Sequence, residues 1–472
     1  MIFNSIEFLI FFSIILIVYF SISFKWRWLL LLGASYSFYA AWRPIYLFLI
    51  VYSTVVDYIV GLKIAETEDK SQRKILLAIS LISNLGLLFI FKYYNFFSQS
   101  IQAIVTTLGV TLELPTSDLV LPVGISFYTF QTLSYTFEVY KGNIKPEKNA
   151  GIFALFVSFF PQLVAGPIER PQHLLPQFKQ QFEFDAQRIS SGLRLMLWGM
   201  FKKVVIADQL AQHVNSVYNN PEDAFGLAVI FATYGFALQI FCDFSGYSDI
   251  AIGAARIMGF DLRLNFKLPY MATSIPDFWR RWHISLSTWF RDYVYIPLGG
   301  NRVPAKRMYL NLMIVFVVSG LWHGANWTFV VWGFVHGLMM ILSVWTSDTR
   351  RSLLKRLGIS EYPRLETRLK IFTTFHLVVF AWIFFRANSL SDALTLIRNS
   401  VQMTSQDGLV LLLLFVLIFL VCGLEPLQKF REVGDYFQTK PTQIRWAFYI
   451  VCALLILNFG ITNEIPFIYF QF

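Results

Sequence analysis

The sequence predicts an all-α polytopic integral membrane protein, and three observations lead there. The first is composition: 56% of the 472 residues are hydrophobic and only 14% are charged, with a mean hydropathy of +0.55. Soluble domains lie nearer half apolar and a quarter charged. The second is a succession of apolar runs of membrane-spanning length, which in lipid only helices or closed barrels can satisfy. The third is the basic character of the short connections, where the net charge of +10 concentrates. That bias marks cytoplasmic loops rather than a nucleic-acid partner, and no compact basic module with interleaved aromatics is present.

Residues 6–22 form the first run and read as a retained helix, without a basic leader or a small-residue cleavage site. Lys25 and Arg27 follow it and favour a cytoplasmic loop. Residues 28–42, 45–62 and 75–91 are the next spans, with the polar, basic stretch 63–74 between the last two. The pattern weakens from Asn95, and 98–108 reads as a short or interfacial helix. Residues 120–139 are apolar but carry Ser126, Tyr128, Thr129, Gln131, Ser134 and Tyr135, poor neighbours for lipid. Such a helix belongs inside the bundle, bonding to other helices or lining a cavity. Residues 153–164 are too short to span comfortably and end in Gly166-Pro167-Ile168, the pattern of a broken or re-entrant helix.

Residues 188–217 begin amphipathic and are interrupted by Lys202 and Lys203, which are expected to snorkel to an interface. A span at 225–241 leads into Cys242-Asp243-Phe244-Ser245-Gly246-Tyr247-Ser248-Asp249. Acids this close to an apolar run signal a cavity, a partner, or pairing with Arg256 or another base. Residues 278–295 are too charged to span and read as short interfacial or buried helices. Gly299-Gly300-Asn301-Arg302 is a turn. Apolar runs resume at 308–318, 327–345, 371–385, 409–424 and 446–461, giving roughly eleven to thirteen membrane segments, the short ones included. The whole chain, 1–472, reads as a single transmembrane domain with its core at about 120–345. Cys242, Cys422 and Cys452 all sit in apolar stretches without paired spacing, so they read as buried hydrophobes rather than a disulfide or zinc framework.

Chemistry concentrates between Pro276 and Gly337. The stretch opens Arg280-Arg281-Trp282-His283-Ile284-Ser285 and continues to Ser319-Gly320-Leu321-Trp322-His323-Gly324 at the end of an apolar run. A histidine at the end of such a run is costly in lipid and usually faces a cavity. The Arg281-Trp282-His283-x-Ser285 and Trp322-His323-Gly324 blocks resemble those of the membrane-bound O-acyltransferase family. So do Ser126-Phe127-Tyr128-Thr129-Phe130-Gln131, Gly166-Pro167-Ile168, Asp243-Phe244-Ser245-Gly246-Tyr247, Phe384-Phe385-Arg386-Ala387 and the ending Phe467-Ile468-Tyr469-Phe470-Gln471-Phe472. These blocks in this order cover essentially the whole chain and lie nearest the bacterial alginate O-acetylation branch.

Acyl transfer to a hydroxyl needs a base, oxyanion stabilisation and exclusion of water. Histidine suits the first role because its ordinary pKa is near neutrality. The resemblance puts the essential histidine at His323 and lines the same site with His283. Trp322, Trp282, Ser285, Asp243, Ser126 and Gln131 are the candidate substrate-binding residues. Gly320 and Gly324 are expected to let backbone approach a substrate. His336 and His376 read as satisfied core residues, and His173 and His213 show no visible partner in the sequence. No HExxH, Walker, dinucleotide-binding or GxSxG pattern occurs, so no metal or bound cofactor is expected.

The resemblance implies a cytoplasmic thioester donor, acetyl-CoA above all, whose acetyl group crosses the bacterial inner (cytoplasmic) membrane. An extracytoplasmic acetyltransferase partner and a polysaccharide acceptor are implied with it. Arg280, Arg281, Arg291, Arg302, Lys306 and Arg307 serve either surface anchoring or attraction of an anionic donor or acidic carrier protein. D-alanyl transfer to teichoic acid from an acyl carrier protein is the alternative within the class. A transporter or flippase is the alternative outside it, although the paired halves common in transporters are absent from the sequence.

Overall fold

The computed structural model describes residues 1–110, 113–163, 166–402, 440–460 and 467–470. The expected span 409–424 and Cys422 lie outside them. The described residues form helices joined by turns and loops, without strands. Seven of their helices are long and apolar enough to cross a membrane: Pro44–Glu66, Lys70–Thr107, Gly226–Met258, Ala305–His323, Trp327–Trp345, Pro363–Arg386 and Thr442–Phe459. The last leaves Ile444, Trp446, Ile450, Val451, Leu454 and Leu457 exposed, an apolar exterior that suits hydrocarbon rather than water. The chain is a polytopic helical membrane protein.

Its packing divides into two units, Met1–Met196 with Tyr247–Arg263, and Leu197–Gly246 with Leu264–Phe472. In the first unit, Ser5 caps the helix Ile6–Ser21 by accepting the Phe8 N–H. Arg27, read from the sequence as a loop cation, instead lies inside the helix Phe24–Ala40. It is buried against the Tyr19 ring and donates to the Phe182 carbonyl at 2.6 Å. The helix expected to end near Phe91 continues to Thr107 through a π turn at Phe89–Tyr93. The short apolar run is broken as its length implied: Ala150–Ser158 ends at Phe159, and Phe160–Leu163 restarts with its first N–H on the Ser35 hydroxyl. Gly124, at φ 78, supplies the left-handed turn that starts the polar helix Ile125–Tyr140, a conformation that favours glycine.

The helix Gly226–Met258, whose residues up to Gly246 belong to the second unit, does not stop before the acidic patch but runs through it. Lys202 and Lys203 do not snorkel outward. Both are buried in a π turn at Lys202–Ala207, because partners for both ammonium groups lie inside. The charged stretch after Pro276 forms short helices, Ile275–Trp279 and Ile284–Phe290, then a π turn at Arg291–Tyr295. The helices Ala305–His323 and Trp327–Trp345 then pack together through Gly320 and Gly333. A Cβ on Gly320 would lie 2.2 Å from the Phe329 carbonyl oxygen, so only glycine permits this crossing.

Candidate active site

His283 and His323 come from different elements of the second unit. His323 is the last residue of the helix Ala305–His323, and His283 precedes the helix Ile284–Phe290. Their ring centroids are 6.4 Å apart. Both are buried, at 2% and 5% exposure. The His323 ring meets Trp332 edge-on at 5.1 Å, Phe385 at 5.5 Å and Tyr469 at 5.6 Å. His283 meets Phe244 edge-on at 4.6 Å and Tyr469 at 6.3 Å. The surroundings of both imidazoles are aromatic.

The His283 backbone is left-handed, φ 42 and ψ 54, which is costly for a residue with a Cβ. Asn265 holds it there. Its carbonyl accepts the Ile284 N–H at 2.9 Å, and its side-chain oxygen accepts the Ser285 hydroxyl at 2.6 Å. Strain of this kind persists only where neighbours over-determine it. Asn265 is not legible in the sequence, since nothing in Leu264-Asn265-Phe266 marks a loop asparagine as the brace of a turn twenty residues on. Nδ1 of His283 has no hydrogen-bond partner among the described residues. Burial pushes this imidazole down to about 3, so at neutral pH it is uncharged, with one ring nitrogen to donate a hydrogen bond and the other to accept one.

The other expected site residues divide. Trp282 is 1% exposed and packs against Phe278, Phe266 and Trp382. It forms the aromatic floor beneath the turn. Ser285 is engaged by Asn265. Trp322 is half-buried beside His323 in sequence and points from a different face of the helix. Asp243 pairs with Lys203 at 2.9 Å, not with Arg256, which donates to Ser191. Each residue after it is also accounted for. Phe244 meets His283, and Ser245 accepts from Lys202 at 2.8 Å. A Cβ on Gly246 would lie 2.7 Å from the Gly199 carbonyl oxygen, so glycine brings the lysine turn within reach.

Ser126 and Gln131 belong to the first unit. Gln131 donates to the Phe156 carbonyl at 3.1 Å and accepts the Glu169 N–H at 3.2 Å. In the same unit His173, unpartnered in the sequence reading, bridges Glu169 at 2.8 Å and Asp261 at 3.3 Å. Gly320 and Gly324 make room for the chain itself, not for a substrate: a Cβ on Gly324 would lie 2.0 Å from the Phe329 ring. His336 is a core residue caged by Trp279, Trp332 and Phe278. It is not a satisfied one, because neither ring nitrogen has a partner among the described residues.

A cavity of about 460 Å³ opens beside this region in the second unit. Trp279, Leu286, Phe290, Val315 and Phe316 form apolar wall, and Arg280 and Arg291 supply guanidinium groups. Ser319 also lines it, one helical turn before His323 on the same face. All three arginines of this stretch also meet carboxylates: Arg281 and Arg280 reach Asp277 at 2.9 and 3.6 Å, and Arg291 reaches Asp292 at 2.8 Å. Among the described residues, no cluster of three or more His, Cys, Asp or Glu could hold a metal ion.

Fold and site together define a polytopic helical membrane protein with a buried pair of histidines in aromatic surroundings. The model of the MBOAT, membrane-bound O-acyltransferase family matches residues 47–363. A probable alginate O-acetylase of Pseudomonas aeruginosa is 40% identical over 83% of this chain and 73% of its own length. One from Pseudomonas putida is 37% identical over the full length of both chains. A peptidoglycan O-acetyltransferase of Helicobacter pylori is 38% identical over 79% of this chain and 73% of its own. The chain belongs to the membrane-bound O-acyltransferase family, and it is an O-acyltransferase.

Proposed function

We propose that the protein moves an acetyl group from a cytoplasmic thioester, of which acetyl-CoA is the simplest, to a polysaccharide of the cell envelope or a secreted polysaccharide. The reading places it in the bacterial cytoplasmic membrane, working with an extracytoplasmic acetyltransferase partner. The observation that carries it is the meeting of two buried imidazoles from segments forty residues apart, with ring centroids 6.4 Å apart. In this reading His323 takes the proton of the accepting hydroxyl as its oxygen attacks the thioester carbonyl. The tetrahedral intermediate collapses with loss of the thiolate, which takes up a proton. Neutral His283 orients the reacting groups or donates to the developing oxyanion. The aromatic walls keep out water that would hydrolyse the donor. The guanidinium groups of Arg280 and Arg291 at an apolar cavity suit a thioester on an anionic carrier.

Support for acetyl over other acyl groups comes from the O-acetylating relatives. The test is ester-linked acetate in envelope and secreted glycans, compared among wild type, a deletion strain and His323→Ala, with membrane protein levels checked by blot. Loss of the same acetate in both mutants is expected, and the glycan that loses it is the acceptor. A His323→Ala protein at normal level with undiminished transfer overturns the mechanism. Unchanged acetate in the deletion strain overturns the acetyl reading and directs the assay to ester-linked D-alanine.

A further inference from the structure

The C-terminal segment Phe467–Phe470 lies against both histidines. Tyr469 contacts the rings of His323 at 5.6 Å and His283 at 6.3 Å. Both Phe467 and Tyr469 pack on Phe244, the residue after Asp243, at 5.5 and 4.7 Å. The backbone of the segment is tied down at Ile468, whose N–H donates to Oδ2 of Asp243 at 2.8 Å. The other carboxylate oxygen of Asp243 faces Lys203 Nζ at 2.9 Å, and Asp208 shares the same ammonium at 2.8 Å. Asp243 is 3% exposed and Lys203 fully buried. A buried carboxylate with a fixed cation on one oxygen and a backbone N–H on the other is a strong, directional anchor. A buried ion pair is seldom the cheapest way to stabilise a core. Here its geometry joins three parts of the chain, the lysine turn, the helix that carries Asp243 and the C-terminal segment.

We propose that Asp243 is a positioning residue: oriented by Lys203, it clamps Ile468 so that Tyr469 covers the His283–His323 pair and excludes water from it. The consequence for catalysis rests on the acyl-transfer reading above; the clamp itself does not. Asp243 thus acts on the reaction through the C-terminal segment, not by touching substrate. In acyl transfer, a loosened cover lets water take the acyl group in place of the acceptor hydroxyl, giving free acid and thiol.

Two measurements test it. The first needs no activity. In full-length protein with Cys242, Cys422 and Cys452 replaced by Ala, Ile468→Cys is challenged with a membrane-permeant maleimide. Ile468 is 3% exposed, so protection is expected with Asp243 present. With Asp243→Ala the labelling rate should rise about tenfold or more, the factor that loss of a charged hydrogen bond sets for local opening. Asp243→Asn, which keeps an oxygen for the Ile468 N–H, should restore most of the protection. Equal labelling in all three backgrounds overturns the clamp.

The second measurement compares thioester hydrolysed with acetyl transferred, per folded protein, in wild type, Asp243→Ala, a chain ending at residue 466, and the combination. Asp243→Ala and the truncation should raise hydrolysis relative to transfer alike, and the combination should be no worse than the truncation. Additive losses overturn the assignment, since they mean that Asp243 acts independently of the segment. If wild type transfers no acyl group at all, the acyl-transfer reading fails and the labelling result still decides the clamp.

Discussion

Each unit buries a carboxylate in helical surroundings, and the two are served differently. Asp57, in the first unit, is fully buried. Its Oδ1 accepts from the Ser80 hydroxyl and from Thr136 at 3.0 Å, and its Oδ2 accepts from the Asn84 amide at 2.8 Å. All of these are uncharged side chains from neighbouring helices, and no cation pairs with Asp57 among the described residues. Asp243, in the second unit, has a cation on one side and the backbone of the C-terminal segment on the other. The first network closes on itself and fastens helices Leu47–Glu66, Lys70–Leu88 and Ile125–Tyr140 together. The second reaches out to a segment that touches the histidines. Burial of a charge therefore does not by itself mark function; the identity of the groups that satisfy it does.

The largest expected effect comes from Lys203→Met, which leaves Asp208 and Asp243 without their shared cation. Uncompensated buried charge costs about 3–5 kcal/mol, so detergent-solubilised protein should unfold at a clearly lower temperature. A melting temperature equal to wild type would mean that the ion cluster contributes little. Asp57→Ala is next, at about 1–3 kcal/mol for stranded hydrogen-bonding groups. Its transfer per folded protein should match wild type, in contrast to Asp243→Ala. A selective loss of transfer in Asp57→Ala would erase the distinction between the two acids.

Gly320→Ala forces a Cβ toward the Phe329 carbonyl, and overpacking of this kind costs about 1–3 kcal/mol. Thermal unfolding reads it, and an unshifted curve would show that the two helices slide apart freely. His336→Phe should stay within about 1 kcal/mol of wild type, because it replaces an unsatisfied polar ring with an apolar one. It should also keep transfer, which separates this buried histidine from His323.

The smallest effect concerns His173. Its hydrogen bond to Glu169 raises the pKa of the ring above its usual value. A raised histidine pKa stabilises the fold below the unfolded value of about 6.5, and that stabilisation fades as pH rises through the folded value. The stability difference between wild type and His173→Gln should therefore be present at acidic pH and shrink on the alkaline side. A difference constant with pH would mean that the ring's charge plays no part. The ring is partly exposed, so solvent screening keeps the effect small.

Much of this protein was legible without coordinates. Hydropathy and run length alone marked the spans at 45–62, 327–345 and 371–385, because lipid imposes its demand on every backbone group locally. The short run 153–164 gave away its break through its length and the Gly166-Pro167 that follows it. Two blocks, Arg281-Trp282-His283-x-Ser285 and Trp322-His323-Gly324, pointed to both histidines. Only the tertiary structure decided what these residues do for one another. It turned Lys203 inward to Asp243 across forty residues, and it placed Asn265 behind the left-handed His283. It spent Gly320 and Gly324 on packing against Phe329, and it brought Ile468 to Asp243 from 225 residues away. The physical reason is range. Hydropathy, helix period and turn chemistry act between near neighbours in sequence, whereas ion pairs, clamps and shared cavities depend on which distant segments packing brings together.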